Sequence, residues 1–263
     1  MIGVAGGLKT IHNPESSIFK RHNNRAVGFH FDLKPANILI TETGELKISD
    51  FGLSLTKRVS PDSASYGIFR GGAPRYQAPE VSPMHYLGVG SSGVAHLSTT
   101  KDMHDEIKNK YDVWSYACIV LEVMIFLFEE DGKEKREQFE IDLDNEPPGQ
   151  AFYGDRKLKH CVETAMGQVS GHAMVGSERP GYDAWGDGMA QLLRDMFCFK
   201  PEYRPSSSDV FERLSELQTD YKERPDDEIG IRLMKYARQE CPKENSTQFT
   251  GEEAAKHNHS SRC

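Results

Sequence analysis

The chain has 263 residues, and 32 Lys and Arg against 40 Asp and Glu give a formal net charge of −8. This length allows a sizeable buried core, and the acidic balance argues against a nucleic-acid binder, which needs a basic surface for phosphates. The longest apolar run, Tyr116 to Phe128, contains Glu122 and is shorter than the roughly 20 residues that cross a bilayer, so no membrane span is predicted. Met1 to Leu8 lacks the basic start of a signal peptide. Five scattered cysteines without a C-x-x-C pair are typical of reduced thiols, which predicts a cytoplasmic or nuclear protein.

The first third of the chain is predicted to hold one helix and three short strands. Apolar residues recur at three-residue steps from Ile2 to Ile11, which predicts a helix over Met1 to His12. The polar segment from Pro14 to Arg25 is predicted to be a loop. A Thr-Gly turn between the second and third strands predicts a β-hairpin. The three apolar runs of strand type are Phe29 to Phe31, Ile38 to Ile40 and Leu46 to Ile48.

The rest of the chain is predicted to be mainly helical, after a long extended loop from Leu53 to Arg75. The segment from Asp112 to Phe128 is apolar all round, which predicts a buried central helix capped by Asp112. The charged segment from Glu129 to Pro148 is predicted to be a solvated loop. The predicted fold class is mainly α, a helical bundle around the central helix with a short β-hairpin near the N-terminus. Further helices are predicted at Gly186 to Phe197, Ser207 to Leu217 and Asp226 to Arg238.

One segment carries the candidate chemistry. Asp32, Lys34 and Asn37 fall within six residues, and Asp50 follows Asn37 by thirteen. Asp32 is suited to accept a proton from an attacking alcohol, and Lys34 to neutralise charge on a transferring phosphoryl group. Asn37 and Asp50 supply the hard oxygens that Mg²⁺ prefers. These residue types predict a site that handles a phosphate and a hydroxyl.

The motif from His30 to Asn37, together with later motifs in the same order, resembles the C-terminal lobe of the eukaryotic protein kinase family. Lys34, two residues after Asp32, is the form of the loop that serine/threonine kinases carry. The resemblance therefore implies phosphoryl transfer from ATP, with Mg²⁺, to Ser or Thr of a protein substrate. The later motifs are Asp50-Phe51-Gly52, Ala78-Pro79-Glu80, Asp112-Val113-Trp114-Ser115 and Arg204-Pro205.

The resemblance also implies roles for individual residues. Asp32 and Lys34 are expected to be catalytic, Asn37 and Asp50 to bind the metal, and Lys34, Asn37 and Asp50 to bind the ATP complex. Glu80 and Arg204 are expected to form a structural salt bridge. Asp112 is expected to hold the backbone of the catalytic loop. The residues with expected structural roles are His30, Phe51, Gly52, Glu80, Asp112, Trp114 and Arg204.

The predicted domain organisation is a kinase C-lobe over residues 1–240 and a disordered tail over 241–263. Insertions are expected near 13–26, 82–106 and 129–180. The family's glycine-rich loop and Val-Ala-x-Lys strand have no counterpart before the catalytic loop, so this chain alone is expected to be weakly active or inactive. A partner is expected to cover the surface that would face the missing N-lobe.

Two residues near the predicted site depart from the family, and one glycine-rich run is a chance match to its phosphate-loop pattern. Phe31 stands where most members carry arginine, so phosphorylation of Ser60, Ser63 or Ser65 is not expected to switch the protein in the usual way. Ala73 replaces a threonine that ties Asp32 and Lys34 to the substrate loop. The G-x-G-x-x-G run at residues 88–93 lies downstream of the catalytic motif and is predicted to be a flexible surface loop.

Two alternative functions stay open. A kinase-derived lobe without catalysis would serve as a scaffold or regulatory module, which the absent N-lobe and Ala73 favour. A small-molecule phosphotransferase would share the His-x-Asp-x-x-x-x-Asn pattern. The motifs at Glu80, Asp112 and Arg204 argue against the second alternative, because they build the peptide-substrate side of protein kinases.

Overall fold

The computed structural model describes residues 1–14, 25–59, 71–81, 109–128, 131–175 and 182–222. Within these ranges the chain forms six α-helices and three pairs of short antiparallel strands, which confirms the mainly α fold class. The helices are α1 (Ile2–His12), α2 (Lys110–Phe128), α3 (Gly132–Asn145), α4 (His160–Val175), α5 (Tyr182–Met196) and α6 (Ser207–Lys222). The strands are β1 (Arg25–Phe29), β2 (Ile38–Ile40), β3 (Leu46–Ile48), β4 (Leu55–Val59), β5 (Tyr153–Gly154) and β6 (Lys157–Leu158).

Helix α2 forms the centre of the molecule. Its 19 residues are almost all buried, including Trp114, Ala117 and Leu121, which have no solvent exposure. Helices α3, α4 and α5 pack directly against it. A helix that is apolar on every side is stable in water only when other elements surround it, and the prediction of a buried central helix is confirmed.

The predicted hairpin is present, and a second strand pair lies beside it. β2 and β3 pair antiparallel with Ile38 opposite Ile48, as expected from the turn between them. β1 pairs antiparallel with β4, so that Phe29 lies opposite Leu55. The prediction of a loop throughout Leu53 to Arg75 is therefore wrong for β4. The partner of β4 is distant in sequence, and a local pattern does not reveal such pairing.

The charged segment after α2 is helical, so the prediction of a solvated loop over Glu129 to Pro148 is wrong. Helix α3 occupies most of this segment and buries Phe139 and Leu143, which are four residues apart on one face. The pair Arg136–Glu140 stabilises the exposed side at the same spacing, with 3.0 Å between Nη1 and Oε1. Two apolar residues are too few to predict a buried helix in a charged sequence. Their burial against the core nevertheless stabilises α3 in the folded protein.

Several predictions lie outside the described residues and stay predictions. They are most of the loop from Pro14 to Arg25, the serines at 60, 63 and 65, the run at 88–93, the helix from Asp226 to Arg238 and the tail at 241–263. The domain boundaries also stay a prediction. Among the described helices, none combines the length and apolar character that a bilayer span requires.

Candidate active site

The loop between β1 and β2 carries the residues with candidate chemistry. It leaves the buried strand β1 at Phe29 and reaches β2 through the short turn Pro35–Asn37. Asp32 and Asn37 are nearly buried, whereas Lys34 is partly exposed. The loop thus holds the Asp32 and Asn37 side chains close to the core, and the Lys34 side chain partly reaches solvent.

Asp32 is the centre of this cluster. Its Oδ2 accepts hydrogen bonds from Lys34 Nζ at 2.7 Å and from Asn37 Nδ2 at 3.0 Å. Its Oδ1 accepts the backbone N–H of Ala73 at 3.1 Å. Asn37 Nδ2 also donates to the Asp32 carbonyl at 2.8 Å, which fixes the short loop on itself. Three separate donors therefore hold the carboxylate in one orientation.

Asn37 and Asp50 are the candidate metal ligands. Both hydrogen bonds recorded for the Asn37 side chain use its nitrogen, and its Oδ1 is the atom that suits a cation. The exposed Asp50 accepts the Gly52 N–H on Oδ1 at 3.2 Å, which leaves Oδ2 for a ligand. In the described ranges, no group of three or more His, Cys, Asp or Glu side chains could hold a metal ion. Mg²⁺ does not require one, since it commonly binds one or two protein oxygens together with substrate phosphates and water. The pair therefore fits Mg²⁺.

Asp112 supports the loop from beneath, and its predicted role as a helix cap is wrong. Helix α2 begins at Lys110, so Asp112 lies inside its first turn. Its two oxygens accept the backbone N–H groups of His30 at 2.8 Å and Phe31 at 2.9 Å. The Nε2 of the buried His12, from the end of α1, lies 2.9 Å from Oδ2. The carboxylate therefore fixes the backbone just before Asp32, as the resemblance implies.

Phe31 has a backbone conformation that L-residues rarely adopt, with φ of 66°. Its buried ring stacks on Phe29 at 5.0 Å between centroids and meets Tyr111 edge-on at 5.6 Å. This conformation ends β1 and explains why the strand stops two residues before the predicted limit. Packing and the Asp112 hydrogen bond hold the strained residue that precedes Asp32.

His30 and Phe51 join the loop to the segment around Asp50. His30 Nε2 lies 3.0 Å from the Ser49 carbonyl, so this nitrogen carries the proton. Nδ1 of the same buried ring has no hydrogen-bond partner among the described residues. The Phe51 ring contacts the His30 ring edge-on at 5.3 Å and is itself exposed. These contacts set the distance between the Asp32 and Asp50 segments.

The segment of residues 71–81 lies against the loop, and Ala73 contacts Asp32 directly. The replacement of a threonine by Ala73 is expected to remove a tie to Asp32 and Lys34. The Ala73 backbone N–H nevertheless binds Asp32 Oδ1, so one link between the segment and the carboxylate does not depend on the side chain. Gln77 Nε2 donates to the Gly72 carbonyl at 2.9 Å and supports the same turn.

The end of the 71–81 segment is joined to the rest of the molecule by the expected ion pair. Arg204 binds Glu80 with both terminal nitrogens, at 2.6 and 2.7 Å. Its Nε donates to the Cys198 carbonyl at 2.6 Å, and its guanidinium lies 5.1 Å from the Trp114 ring centroid. A bidentate pair with every nitrogen engaged is geometrically specific, so it fixes where the segment ends.

Sequence reasoning missed two residues near the site, Glu122 and Arg75. Glu122, buried on α2, accepts the Tyr76 hydroxyl at 3.1 and 3.2 Å. Burial raises its pKa to about 7, although the Tyr76 hydrogen bond and Arg75 oppose the rise. The available indication was a single acid inside the apolar run from Tyr116 to Phe128. Arg75 pairs with α3, a helix that the sequence did not reveal.

Comparison with known proteins connects this geometry to a family. A family model described as protein kinase domain matches residues 7–214. A probable serine/threonine-protein kinase, PBL10 of Arabidopsis thaliana, is 30% identical over 227 residues, which cover 83% of this chain and 42% of that protein. CBL-interacting serine/threonine-protein kinase 14 of the same plant is 54% identical over 54 residues, which cover 20% of this chain and 12% of that protein.

A third relative comes from another organism. The dual specificity protein kinase zak2 of Dictyostelium discoideum is 34% identical over 101 residues, which cover 36% of this chain and 12% of that protein. The chain spans less than half the length of each of these curated relatives.

Proposed function

Because the chain belongs to the eukaryotic protein kinase family, we propose that it transfers the γ-phosphoryl group of ATP to serine or threonine of a protein. The observation that carries this proposal is the cluster at Asp32, where Lys34, Asn37 and the Ala73 amide converge on one carboxylate. Such a cluster suits an in-line transfer, in which positioning and charge neutralisation supply most of the rate.

Asp32 is the proposed proton acceptor for the substrate hydroxyl. Its Oδ1 receives one hydrogen bond from Ala73, which leaves room for a second donor, such as a serine or threonine hydroxyl. Its Oδ2 is engaged by Lys34 and Asn37, so the carboxylate cannot rotate freely. Lys34 is placed to neutralise the phosphoryl oxygens next to this acceptor.

Asn37 and Asp50 are the proposed ligands for Mg²⁺, and Mg-ATP when bound supplies the phosphoryl group and screens its charge. Asn37 offers its amide oxygen and Asp50 its free carboxylate oxygen.

The free thiols of Cys118, Cys161 and Cys198 support a reducing compartment, the cytoplasm or nucleus, as the place of this reaction.

Three large apolar side chains lie close in sequence to these ligands. Leu39, Ile40 and Phe51 are 57%, 47% and 54% exposed, which is unusual for large apolar side chains. Leu39 follows Asn37 by two residues and is proposed to contact the base of the nucleotide. We propose that a partner or further protein segment covers the exposed Leu39 and Phe51, and that the 263-residue polypeptide alone holds Mg-ATP weakly.

The proposed role of Asp32 is tested by Asp32→Asn. The substitution keeps the size of the side chain but removes its basicity, so phosphate transfer from Mg-ATP to casein should fall by at least about 10²-fold. The control is Asp155→Asn, an exposed aspartate with φ of 45°, a conformation that asparagine tolerates. If the wild type transfers phosphate measurably in excess Mg-ATP, turnover by Asp32→Asn at the same rate would contradict the assignment.

The proposed weak nucleotide binding is tested by titration calorimetry of the 263-residue polypeptide with Mg-ATP. The expected Kd is on the order of 1 mM or weaker, because the exposed Leu39 gains little when only one side of the base is covered. Micromolar binding that is lost in Asp50→Ala would show that this polypeptide already holds the nucleotide fully. That result would remove the need for a covering partner.

A further inference from the structure

The turn Pro74–Tyr76 lies between two anchored groups, and Arg75 is at its centre. On one side the Ala73 amide binds Asp32, and on the other the Tyr76 hydroxyl binds Glu122. Ser115 Oγ also donates to the Tyr76 carbonyl at 2.7 Å. The backbone around Arg75 thus connects the candidate proton acceptor to the central helix.

The Arg75 side chain reaches α3. Its Nη1 lies 3.5 Å from Glu140 Oε1, and its Nη2 lies 3.5 Å from Asp144 Oδ1. Glu140 and Asp144 are four residues apart and share one face of the helix. The Arg75 guanidinium therefore spans two successive turns of α3. The Arg75 side chain is only 16% exposed.

Helix α3 is a firm support for this contact. Phe139 and Leu143 anchor it in the core, and the Phe139 ring meets the buried Phe152 ring edge-on at 5.6 Å. Arg136 shares Glu140 with Arg75 at 3.0 Å and keeps that carboxylate on the same face. A rigid helix that offers two carboxylates to a loop arginine can fix the position of the loop.

We propose that α3 is a positioning element of the active site, and that Glu140 and Asp144, through Arg75, keep the Ala73 amide on Asp32. Arg75 is a positioning residue, since its side chain points to α3 rather than to Asp32. The inference deepens the proposed function and rests on it for the importance of Asp32. Partly exposed ion pairs contribute little to global stability. We therefore expect the pairs of Arg75 with Glu140 and Asp144 to affect mainly the local opening of the 71–81 segment.

The proposal is tested by hydrogen exchange at the Ala73 amide, measured residue by residue by NMR without ATP or substrate. Arg75→Gln should raise its exchange rate about three- to tenfold. The double substitution Glu140→Gln with Asp144→Asn, on the outer face of α3, should do the same. A triple variant that combines these three substitutions should exchange no faster at Ala73 than the single or the double variant, because both changes break the same contact.

The control is Arg213→Gln, which breaks a comparable surface pair with Asp195 but should leave Ala73 exchange unchanged. The Val120 amide in α2 reports whether each variant keeps its fold. Unchanged Ala73 exchange in the α3 double variant, or effects that multiply in the triple variant, would overturn the proposal. The exchange measurement does not require catalysis. A failure of phosphate transfer would therefore contradict the proposed function without changing the effect of α3 on the Ala73 amide.

Discussion

At the scale of single residues, Glu122 is a buried acid whose surroundings are largely apolar. It lies in the apolar wall of α2, and its one recorded hydrogen-bond partner is the Tyr76 hydroxyl. Burial also raises the pKa of Tyr76 above its usual value, so the phenol keeps its proton and remains the donor. The pair joins the 71–81 segment to the central helix and should respond to pH.

The stability of the protein should therefore depend on the protonation of Glu122. Its pKa is raised from 4.5 to about 7 in the folded state, so the folded protein binds the proton more tightly than the unfolded chain. This contribution is complete below about pH 4.5 and is lost as pH rises to about 7, with a total on the order of 3 kcal/mol. Urea unfolding from about pH 4.5 to about pH 8 should show this loss in the wild type and not in Glu122→Gln. Parallel pH profiles for the two proteins would contradict the assignment.

At the scale of elements, close backbone contacts decide how α1 and β1 fit together. A Cβ on Gly28 would lie 2.1 Å from the Ile11 carbonyl oxygen, so only glycine allows β1 to approach the end of α1. The same contact brings His12 to Asp112 beneath the loop that carries Asp32. The packing of two elements thus determines the position of the loop that carries Asp32.

Gly28→Ala should destabilise the fold, whereas a matched substitution in α4 should not. We expect a loss of about 2–3 kcal/mol for Gly28→Ala, because the carbonyl of α1 must move away. Gly167 in α4 is exposed, and a Cβ added to it would meet no neighbouring atom within 4 Å, so Gly167→Ala should add about 0.5–1 kcal/mol. Urea unfolding of both variants measures the difference. Equal stabilities would show that the α1–β1 contact relaxes without cost.

At the scale of the whole molecule, Arg204 connects parts of the chain that are far apart in sequence. It binds Glu80 at the end of the 71–81 segment and donates to carbonyls at Cys198, after α5, and Lys110, at the start of α2. Its side chain has no solvent exposure. The loss of a buried cation with several partners leaves all of them unsatisfied.

Arg204→Ala should reduce the free energy of unfolding by about 3–5 kcal/mol, because Glu80 and the carbonyls lose their donor. Arg204→Lys should cost less, since one ammonium keeps the charge but cannot match the planar fork. The matched control is Arg213→Ala, which breaks the exposed pair with Asp195 and should cost at most about 1 kcal/mol. Similar losses for Arg204→Ala and Arg213→Ala in urea unfolding would show that the buried pair is not structurally important.

The sequence by itself determined the central helix and the composition of the candidate site. Apolar residues all round α2 require burial, and α1, β2, β3, α5 and α6 also follow from local periodicity and turns. Asp32, Lys34, Asn37 and Asp50 could be named as candidates because their chemistry and order are visible in one short stretch. These properties depend on neighbours within a few residues, which sequence patterns report directly.

Only the tertiary structure decided how these residues are held. Helix α3 forms because Phe139 and Leu143 meet the core, and β4 forms because β1 lies beside it. The 71–81 segment reaches Asp32 through the Ala73 backbone amide. Each of these contacts joins residues that are distant in sequence. Their free energy depends on distances that only the folded chain sets, so no local pattern could reveal them.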